Sequence, residues 1–486
     1  MTTIAHWLAY QAATRGQQLA LQVGQERWSY AELHASAAAL ARRLASCGLH
    51  PGDRLALLLP NGPEFVQLAH AASLLGAVLV PLNTRLANPE IAWQLQHAGA
   101  RAVVASAATA GAALAASRGL EGVEVWEAAE LLRRQPVKTA LQDSLDLDAV
   151  YTILYTSGTT GRPKGCMLTY GNYWWSAVGS ALHLGLRPDD RWLACMPLFH
   201  VGGLAILIRA AVYGIPVVVH EHFDPEAVNR AIDEEGITLV SVVATMLARM
   251  LDARGSRPYP PSLRAVLVGG GPVPAALLDR CARIRLPALP TYGLTEASSQ
   301  VTTLPPAEAG TRRGCSGKPL PVVQVRIEAD DRPAPPGTPG EILVRGPTVT
   351  PGYFQDPEAT RRALAGGWLR TGDVGYLDPD GYLYVLDRRD DLIVSGGENV
   401  YPAEVEAVLT AHPAVEEAAV TGRFDAEWGQ VPIAAVRLRA GHHTTEAELL
   451  EFCRARLARF KVPRQIRFVD ALPRNAAGKL LRRSLR

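Results

Sequence analysis

The sequence predicts an α/β protein in which a large N-terminal domain with doubly wound sheets is followed by a small α+β C-terminal domain. Length is the first observation, because 486 residues are roughly three times a typical single domain. Composition is the second, since 48% hydrophobic and 20% charged residues allow a large buried core. The third is that apolar runs of strand length alternate with helical segments, as in parallel βαβ units.

The elements of the N-terminal part follow from this alternation. An Ala-rich helix is predicted over residues 30–44, and a buried strand over the apolar run 53–59. A helix over 63–75 and a short apolar strand over 77–82 come next. Three more Val-rich strands, each near a helix, are predicted at 216–219, 238–242 and 264–268.

The pattern changes toward the C-terminus. From about Val322 the strands become shorter and are separated by Pro/Gly turns, which predicts antiparallel pairing. A highly charged segment near Arg388–Asp390 joins two apolar strands, so the predicted domains are residues 1–387 and 388–486. In the second domain the sequence predicts a helix over 403–411, a strand over 433–438 and a helix over 446–457.

Charge and targeting features exclude several classes of protein. The net charge of +2, from 49 basic and 47 acidic residues, gives no reason to expect a nucleic-acid partner. The N-terminus has no basic segment followed by an apolar run, and the longest apolar stretches fall short of a bilayer span. The six cysteines lack zinc-ligand spacing, which favours reduced thiols. We therefore expect a cytoplasmic protein without membrane insertion, either monomeric or a homodimer or larger homo-oligomer.

Lysine is rare in this chain. Only five of the 49 basic residues are lysines, and they stand at Lys138, Lys164, Lys318, Lys461 and Lys479. Composition bias is one interpretation of this scarcity. The other is that some of these positions need a compact ammonium group, which the planar, forked guanidinium of arginine does not imitate.

The strongest local motif is Tyr155-Thr-Ser-Gly-Thr-Thr-Gly-Arg-Pro-Lys-Gly165, which directly follows an apolar strand. Its three glycines, four hydroxyl side chains and Lys164 can wrap polyphosphate oxygens. The motif differs from the Walker pattern, because Lys164 stands between Pro163 and Gly165 rather than before Ser or Thr. A flexible linker is the alternative, although linkers seldom combine these residues in this order.

Further motifs supply groups suited to the same chemistry. Tyr292-Gly-Leu-Thr-Glu296 combines a hydroxyl with the hard carboxylate oxygen that a phosphate-bridging magnesium ion prefers, or is a capped turn. Asp373, between Gly372 and Gly375, could accept hydrogen bonds from two ribose hydroxyls, or could be an ordinary turn residue. Lys479 could neutralise a carboxylate and a phosphate oxygen as they approach each other, or could be an exposed tail cation.

Together these motifs resemble those of the adenylate-forming superfamily, which includes acyl-CoA synthetases, luciferases and the adenylation domains of peptide synthetases. Five motifs occur in the order typical of that family: Tyr155–Gly165, Tyr292–Glu296, Thr371–Gly375, Asp387–Glu406 and Pro473–Lys479. The resemblance implies a large N-terminal adenylate-forming domain with a small β-barrel-like subdomain, and a small mobile C-terminal lid domain. It also implies an acid–thiol ligase that uses ATP, Mg²⁺ and coenzyme A and forms an acyl-adenylate.

The resemblance also implies a role for individual residues. Catalytic functions fall to Thr156, His200, Glu296 and Lys479, with Glu296 as the metal ligand. Nucleotide and cofactor binding is implied for Ser157, Gly158, Thr159, Thr160, Lys164, Gly269, Gly270, Gly271, Tyr292, Gly293, Thr295, Asp373, Arg388, Gly396 and Gly397. In this assignment Tyr292 offers adenine a stacking face, the glycine pair at 396–397 leaves room for the pantetheine arm, and Asp390 is the hinge.

The acid substrate is harder to identify from the sequence. Arg209 interrupts an otherwise apolar helix after His200, and a buried cation is costly unless an anion meets it. A second carboxylate on the substrate would supply that anion; an exposed position or an internal ion pair is the alternative. His200 and Gly293 complete the implied acyl pocket. Ligases for other aryl, medium-chain or dicarboxylic acids, a non-catalytic nucleotide-binding relative and a carrier-protein-loading enzyme are the competing hypotheses.

Overall fold

The first large sheet lies at the N-terminal end of the computed structural model, which describes residues 2–156, 163–271, 273–387, 392–473 and 485. Its strand order is Gly352–Tyr353, Lys164–Thr169, Val150–Thr156, Val78–Pro81, Arg54–Leu58, Ala100–Ala105 and Glu124–Glu127. The last five of these strands are parallel. Alternate residues of the fifth enter two separate cores, so both faces of the sheet are covered, as its continuous apolar strands predict.

The second large sheet contains the three predicted Val-rich strands. Its strand order is Lys318–Pro319, Ser299–Thr303, Ala288–Leu294, Ala265–Gly269, Leu239–Val243, Trp192–Ala194, Val217–Val219, Leu19–Val23 and Glu26–Ser29. The six strands from Ala288–Leu294 to Leu19–Val23 are parallel, and the outer ones are antiparallel. The prediction of doubly wound sheets is confirmed, and the structure has two of them.

A third, antiparallel sheet occupies the region where the sequence predicts short strands. Its order is Arg332–Pro333, Gln324–Ala329, Gly340–Arg345, Trp368–Leu377 and Leu364–Ala365, and Leu383–Asp387 also pairs with the fourth strand. Register shifts interrupt two of these pairings, which is how β-bulges curve a sheet. This sheet corresponds to the predicted β-barrel-like subdomain. A two-stranded ribbon elsewhere joins Thr3–Ala5 to Ser144–Asp146.

The C-terminal unit has a sheet and a core of its own. The sheet consists of Glu398–Val400, Ile393–Ser395, Gly429–Leu438, Val415–Asp425 and Ile466–Phe468. Buried side chains from these strands and from two helices form a separate hydrophobic cluster. A separate core is what defines a domain, although the predicted boundary after residue 387 adjoins residues outside the described ranges and stays a prediction.

The described residues form fourteen α-helices and two 3₁₀ turns. The helices are Trp7–Arg15, Tyr30–Ser46, Pro63–Leu75, Asn88–Ala98, Ala110–Ser117, Ala128–Leu131, Tyr170–Leu184, Val201–Tyr213, Pro225–Glu234, Ala244–Arg254, Ala275–Arg283, Pro357–Ala363, Pro402–Thr410 and Glu446–Arg454. The 3₁₀ turns are Thr295–Ala297 and Pro306–Glu308. Within the described ranges every helix is too short or too polar to cross a bilayer.

Helix starts were easier to predict than helix ends. The helix Tyr30–Ser46 begins where predicted because Ser29 and Glu32 form a capping box. The helix predicted over 446–457 ends at Arg454, so its predicted end is wrong. The chain leaves the helix there and buries Leu457 in the C-terminal core, while the backbone N–H of Ala458 donates to Glu90 of the N-terminal part. Tertiary contacts thus override the local helical pattern.

Candidate active site

A large cleft lies where the two parallel sheets and the C-terminal unit meet. Its volume is about 1490 Å³. Strands of both large sheets reach it at their carboxyl ends, where Thr156, Val243 and Gly269 line its wall. Ligands of open α/β sheets bind outside the carboxyl ends of the strands. The cleft is therefore the candidate active site.

The two ends of the phosphate-loop motif are described, and they belong to neighbouring strands. Thr156 ends the strand Val150–Thr156 and lines the cleft, while Lys164 begins the adjacent antiparallel strand. The Lys164 ammonium lies 5.1 Å from the centroid of the Tyr353 ring. The predicted phosphate ligands between these strands lie outside the described residues: Ser157, Gly158, Thr159 and Thr160.

Tyr292 and Asp373 are joined by a hydrogen bond of 2.7 Å, in which the Tyr292 hydroxyl donates to Oδ2 of Asp373. The Asp373 backbone N–H also donates to Thr371 Oγ1 at 3.0 Å, and Asp373 lines the cleft. The Tyr292 ring itself is buried in the core of the antiparallel sheet. The structure thus brings the two motifs together through this hydrogen bond, and the role of Tyr292 as a stacking face for adenine stays a prediction.

Gly293 must be glycine for a steric reason. The strand shifts register between Tyr292 and Gly293, and a Cβ atom at Gly293 would lie 1.6 Å from the carbonyl oxygen of Ser299. Any larger residue would therefore push apart the two strands that form this wall of the cleft. The predicted glycines Gly269 and Gly270 line the wall as well, and Gly271 follows them just outside it.

Glu296 is the predicted metal ligand, and it faces the cleft. It lies on the 3₁₀ turn Thr295–Ala297, both it and Thr295 line the cleft, and its Oε1 accepts a hydrogen bond of 2.8 Å from the Tyr353 hydroxyl. Within the described residues no group of three or more His, Cys, Asp or Glu side chains could hold a metal ion. A single carboxylate fits Mg²⁺, which commonly completes its shell with phosphate and water oxygens.

The acyl side of the cleft contains a contact between the N-terminal and C-terminal parts. His200 precedes the helix Val201–Tyr213, and its Nε2 lies 2.9 Å from Glu398 Oε2. Asn83 Nδ2 and Arg85 also donate to Glu398, each at 3.1 Å. Burial alone would raise the pKa of the Glu398 carboxyl, but His200 and Arg85 hold that pKa below its usual value. Glu398 is therefore a buried carboxylate anion held by N-terminal groups.

Arg209 is buried and has no carboxylate partner among the described residues. The residue is 2% exposed and lines the cleft. One NH2 group donates to Ser176 Oγ at 3.0 Å, and the guanidinium carbon lies 5.7 Å from the Trp192 ring centroid. Arg209 Nε is buried without a hydrogen-bond partner among the described residues, and burial lowers the pKa of the guanidinium. Arg209 is therefore not exposed, and the part of the chain that the structure describes offers it no internal ion pair.

The C-terminal glycine pair also reaches the cleft. Gly396 has a φ of +59°, and a Cβ atom there would lie 2.6 Å from the Trp428 ring, so both its backbone conformation and its surroundings favour glycine. Gly397 faces Val243 of the N-terminal part. Three other predicted site residues, Arg388, Asp390 and Lys479, lie outside the described residues.

Several residues at the site were missed by the sequence analysis. Asn83, Arg85, Glu398 and Trp428 all line the cleft. Glu398 stands directly after the glycine pair at 396–397, within the motif Asp387–Glu406. Its position in that motif was therefore a sequence signal for a site residue. Asn83 and Arg85 gave none, because they belong to a polar loop that follows an ordinary strand end.

Family comparisons agree with this geometry. The model described as "AMP-binding enzyme" matches residues 8–354, and that described as "AMP-binding enzyme C-terminal domain" matches residues 404–479. A 2-succinylbenzoate–CoA ligase of Geobacillus kaustophilus is 50% identical, with 100% of this chain and 98% of that protein covered. One of Bacillus cereus is 45% identical, with 100% and 99% covered.

Solved structures of one relative are similar to this chain to two different degrees. A double mutant of the Bacillus subtilis o-succinylbenzoate CoA synthetase (MenE) bound to its product analogue OSB-NCoA has a TM-score of 0.95, with 41% identity, covering 100% of this chain and 99% of that one. The same synthetase in complex with the acyl-adenylate intermediate OSB-AMP has a TM-score of 0.78 at the same identity and coverage. With ATP and a magnesium ion the TM-score is again 0.78, with 100% of both chains covered.

Proposed function

The chain belongs to the AMP-binding enzyme family, and we propose that it joins 2-succinylbenzoate to coenzyme A at the expense of ATP. It is an AMP-forming acid–thiol ligase that acts through an acyl-adenylate. Full-length relatives at 45–50% identity have this activity as their name, and the MenE name of its structural relative agrees with a place in menaquinone biosynthesis. Its substrates ATP and coenzyme A are abundant in the cytoplasm, where we expect the reaction to occur.

The reaction consists of two substitutions. A carboxylate oxygen of the acid first bonds to the α-phosphorus of ATP, and the bond from that phosphorus to pyrophosphate breaks. The sulfur of coenzyme A then bonds to the acyl carbon, the bond from that carbon to AMP breaks, and the thiol proton is released. Mg²⁺ held by Glu296 would neutralise charge on the phosphates. Thr156, Lys164 and Lys479 would stabilise the charges that develop on the phosphate and carboxylate oxygens.

The burial of Arg209 without a carboxylate partner among the described residues favours a substrate with two carboxylates. A buried guanidinium without a carboxylate partner is unfavourable in the empty protein, and Arg209 retains an unpartnered Nε. 2-Succinylbenzoate has one carboxylate on its ring and one on its succinyl arm. In our proposal the succinyl carboxylate is activated and the ring carboxylate pairs with Arg209.

The two TM-score groups support a change of arrangement between the two substitutions. The described structure resembles the product-analogue complex more closely than the complexes with ATP or the adenylate. Sequence identity is 41% in all three comparisons, so sequence divergence does not explain the difference. We therefore assign the described arrangement to thioester formation, with the C-terminal domain turning about a hinge near Asp390.

An acid panel tests the proposed function. Purified protein with ATP, Mg²⁺ and coenzyme A would be given 2-succinylbenzoate, benzoate, octanoate or malonate, and thioester and AMP would be measured together. We expect the highest kcat/KM with 2-succinylbenzoate. A higher value with another acid would favour the alternative ligases. Adenylate formation without any use of free coenzyme A would favour a carrier-protein-loading enzyme, and absence of ATP–pyrophosphate exchange would favour a non-catalytic relative.

A further inference from the structure

Lys461, one of the five lysines, joins the C-terminal unit to the N-terminal part. It is 4% exposed, and its ammonium Nζ lies 2.6 Å from Glu90 Oε1 and 2.7 Å from Glu404 Oε1. Glu404 belongs to the C-terminal helix Pro402–Thr410 and Glu90 to the N-terminal helix Asn88–Ala98. One ammonium group is thus shared by a carboxylate of its own unit and a carboxylate across the interface.

Glu90 binds the C-terminal unit at two points while it caps its own helix. Its Oε2 accepts a hydrogen bond of 2.8 Å from the backbone N–H of Ala87, the residue that precedes the helix, and one of 2.7 Å from the backbone N–H of Ala458. Its Oε1 accepts the bond from Lys461. The helix thereby fixes the carboxylate before the C-terminal unit arrives, so little side-chain entropy is lost when the contact forms.

The surroundings of Glu404 disfavour the ionised form of its carboxyl. Burial raises the pKa of the Glu404 carboxyl, Lys461 opposes that rise and Glu90 adds to it. Burial alone would lower the pKa of Lys461, but the two carboxyl groups raise it above its usual value. Glu404 Oε2 is buried without a partner among the described residues, which suits a protonated carboxyl better than an anion. The side chains of Lys461 and Glu90 are only 5% and 9% exposed. Water therefore weakens their attraction little.

The described arrangement of the chain contains the pair. Its TM-score is 0.95 to the product-analogue complex and 0.78 to the adenylate complex. A turn of the C-terminal unit that moves it away from the helix Asn88–Ala98 would separate Lys461 and Ala458 from Glu90. Glu404 travels with Lys461, and it can ionise when Glu90 leaves, so the ammonium keeps a counter-ion in both arrangements.

We propose that Glu90 is a positioning residue for the second substitution, holding the C-terminal domain by accepting hydrogen bonds from Lys461 and Ala458. Glu404 is the resident counter-ion that allows Lys461 to be released. This inference rests on the proposed two-step ligase reaction. It assigns to Glu90 no contact with substrate, and its effect falls on the coenzyme A step alone.

The test compares Glu90→Gln with Glu32→Gln. Glu32 occupies the same capping position on the helix Tyr30–Ser46, but its carboxylate is exposed and bonds only to Ser29, so the control removes a cap without an interdomain pair. Two rates would be measured with 2-succinylbenzoate: adenylate formation without coenzyme A, and thioester formation from preformed adenylate on addition of coenzyme A.

We expect Glu90→Gln to lower kcat/KM for coenzyme A in the second step by roughly tenfold, because only the held arrangement binds the thiol productively. Adenylate formation should stay within about twofold of wild type, and Glu32→Gln should change both steps by less than about twofold. Equal losses in both steps of Glu90→Gln would overturn the proposal, as would an unchanged second step. Failure of the wild-type protein to form adenylate would instead contradict the proposed function.

A second variant keeps the test decisive if Glu90→Gln does not fold. Glu90→Asp retains the negative charge and the helix cap but shortens the side chain, so its loss should be smaller and again confined to the second step. A loss that is equal in both steps, or absent from the second step, would overturn the proposal in this variant as well.

Discussion

Two buried cations in this protein have opposite surroundings. Lys461 at the domain interface is held by two carboxyl groups, Glu90 and Glu404. Arg209 in the acyl part of the cleft donates to a serine hydroxyl and lies beside an aromatic ring, and it has no carboxylate partner among the described residues. An unpaired charge in a protein interior is unfavourable, so the two surroundings favour different roles. In our proposals the interface around Lys461 positions a domain, and Arg209 selects a substrate.

The largest effect on stability is expected from removing Lys461, the cation held by two carboxyl groups. Lys461→Met leaves Glu90 and Glu404 together in the interface without a cation, and we expect a loss of about 3–5 kcal/mol in the free energy of unfolding. Urea denaturation measures it, and Lys138→Met, at an exposed position, is the control. A loss below about 1 kcal/mol would mean that Lys461 contributes no more than a surface lysine.

Removing the Arg209 guanidinium should weaken the binding of the acid substrate. Arg209→Leu should raise KM for 2-succinylbenzoate by about 30-fold, equivalent to roughly 2 kcal/mol, because the ring carboxylate loses its partner, while KM for ATP stays within about threefold. Arg249→Leu is the matched control, since Arg249 also lines the cleft but is exposed. Unchanged KM for the acid would refute the assignment of Arg209.

Arg209→Leu should stabilise the ligand-free protein, although it weakens the binding of the acid substrate. Without substrate, Arg209→Leu replaces an unpaired buried cation by an apolar side chain in an apolar helix, so we expect a gain of about 1–2 kcal/mol in the free energy of unfolding. Thermal and urea unfolding of the ligand-free protein would measure this gain. Destabilisation would show that Arg209 is already satisfied in the ligand-free protein.

Buried histidines provide a third and smaller contrast, because they avoid the cost of charge by staying neutral. Burial, followed by the neighbouring His70 and His34, lowers the pKa of His6 to about 3, and burial lowers that of His70 to about 4. The unfolded chain therefore binds protons first as the pH falls. Stability is fully present above about pH 6.5 and is lost below it, by about 1 kcal/mol per histidine between pH 6.5 and 5.5.

Urea unfolding at pH 7.5, 6.5 and 5.5 would measure this loss. His6→Asn keeps a capping side chain at the start of the helix Trp7–Arg15 but cannot titrate. The variant should therefore lose about 1 kcal/mol less than wild type over the same pH interval. An identical pH dependence of the two proteins would show that His6 does not contribute.

Much of the fold could be predicted from the sequence because its signals are local. The alternation of strands and helices and the apolar runs at 216, 238 and 264 correspond to observed elements. The helix predicted to end at residue 457 was the exception, since a tertiary contact from Ala458 ended it earlier. Of the predicted site residues that are described, most line one cleft; their individual roles stay predictions.

The family, the order of the motifs and the type of chemistry follow from the sequence, because loops that bind phosphate and metal are built from neighbouring residues. The partners of the buried charges, in contrast, depend on the fold. His200 and Glu398 are 198 positions apart, and Lys461 and Glu90 are 371 apart. Whether a buried cation is satisfied depends on groups that only folding brings within hydrogen-bond distance, and that distinguishes Lys461 from Arg209.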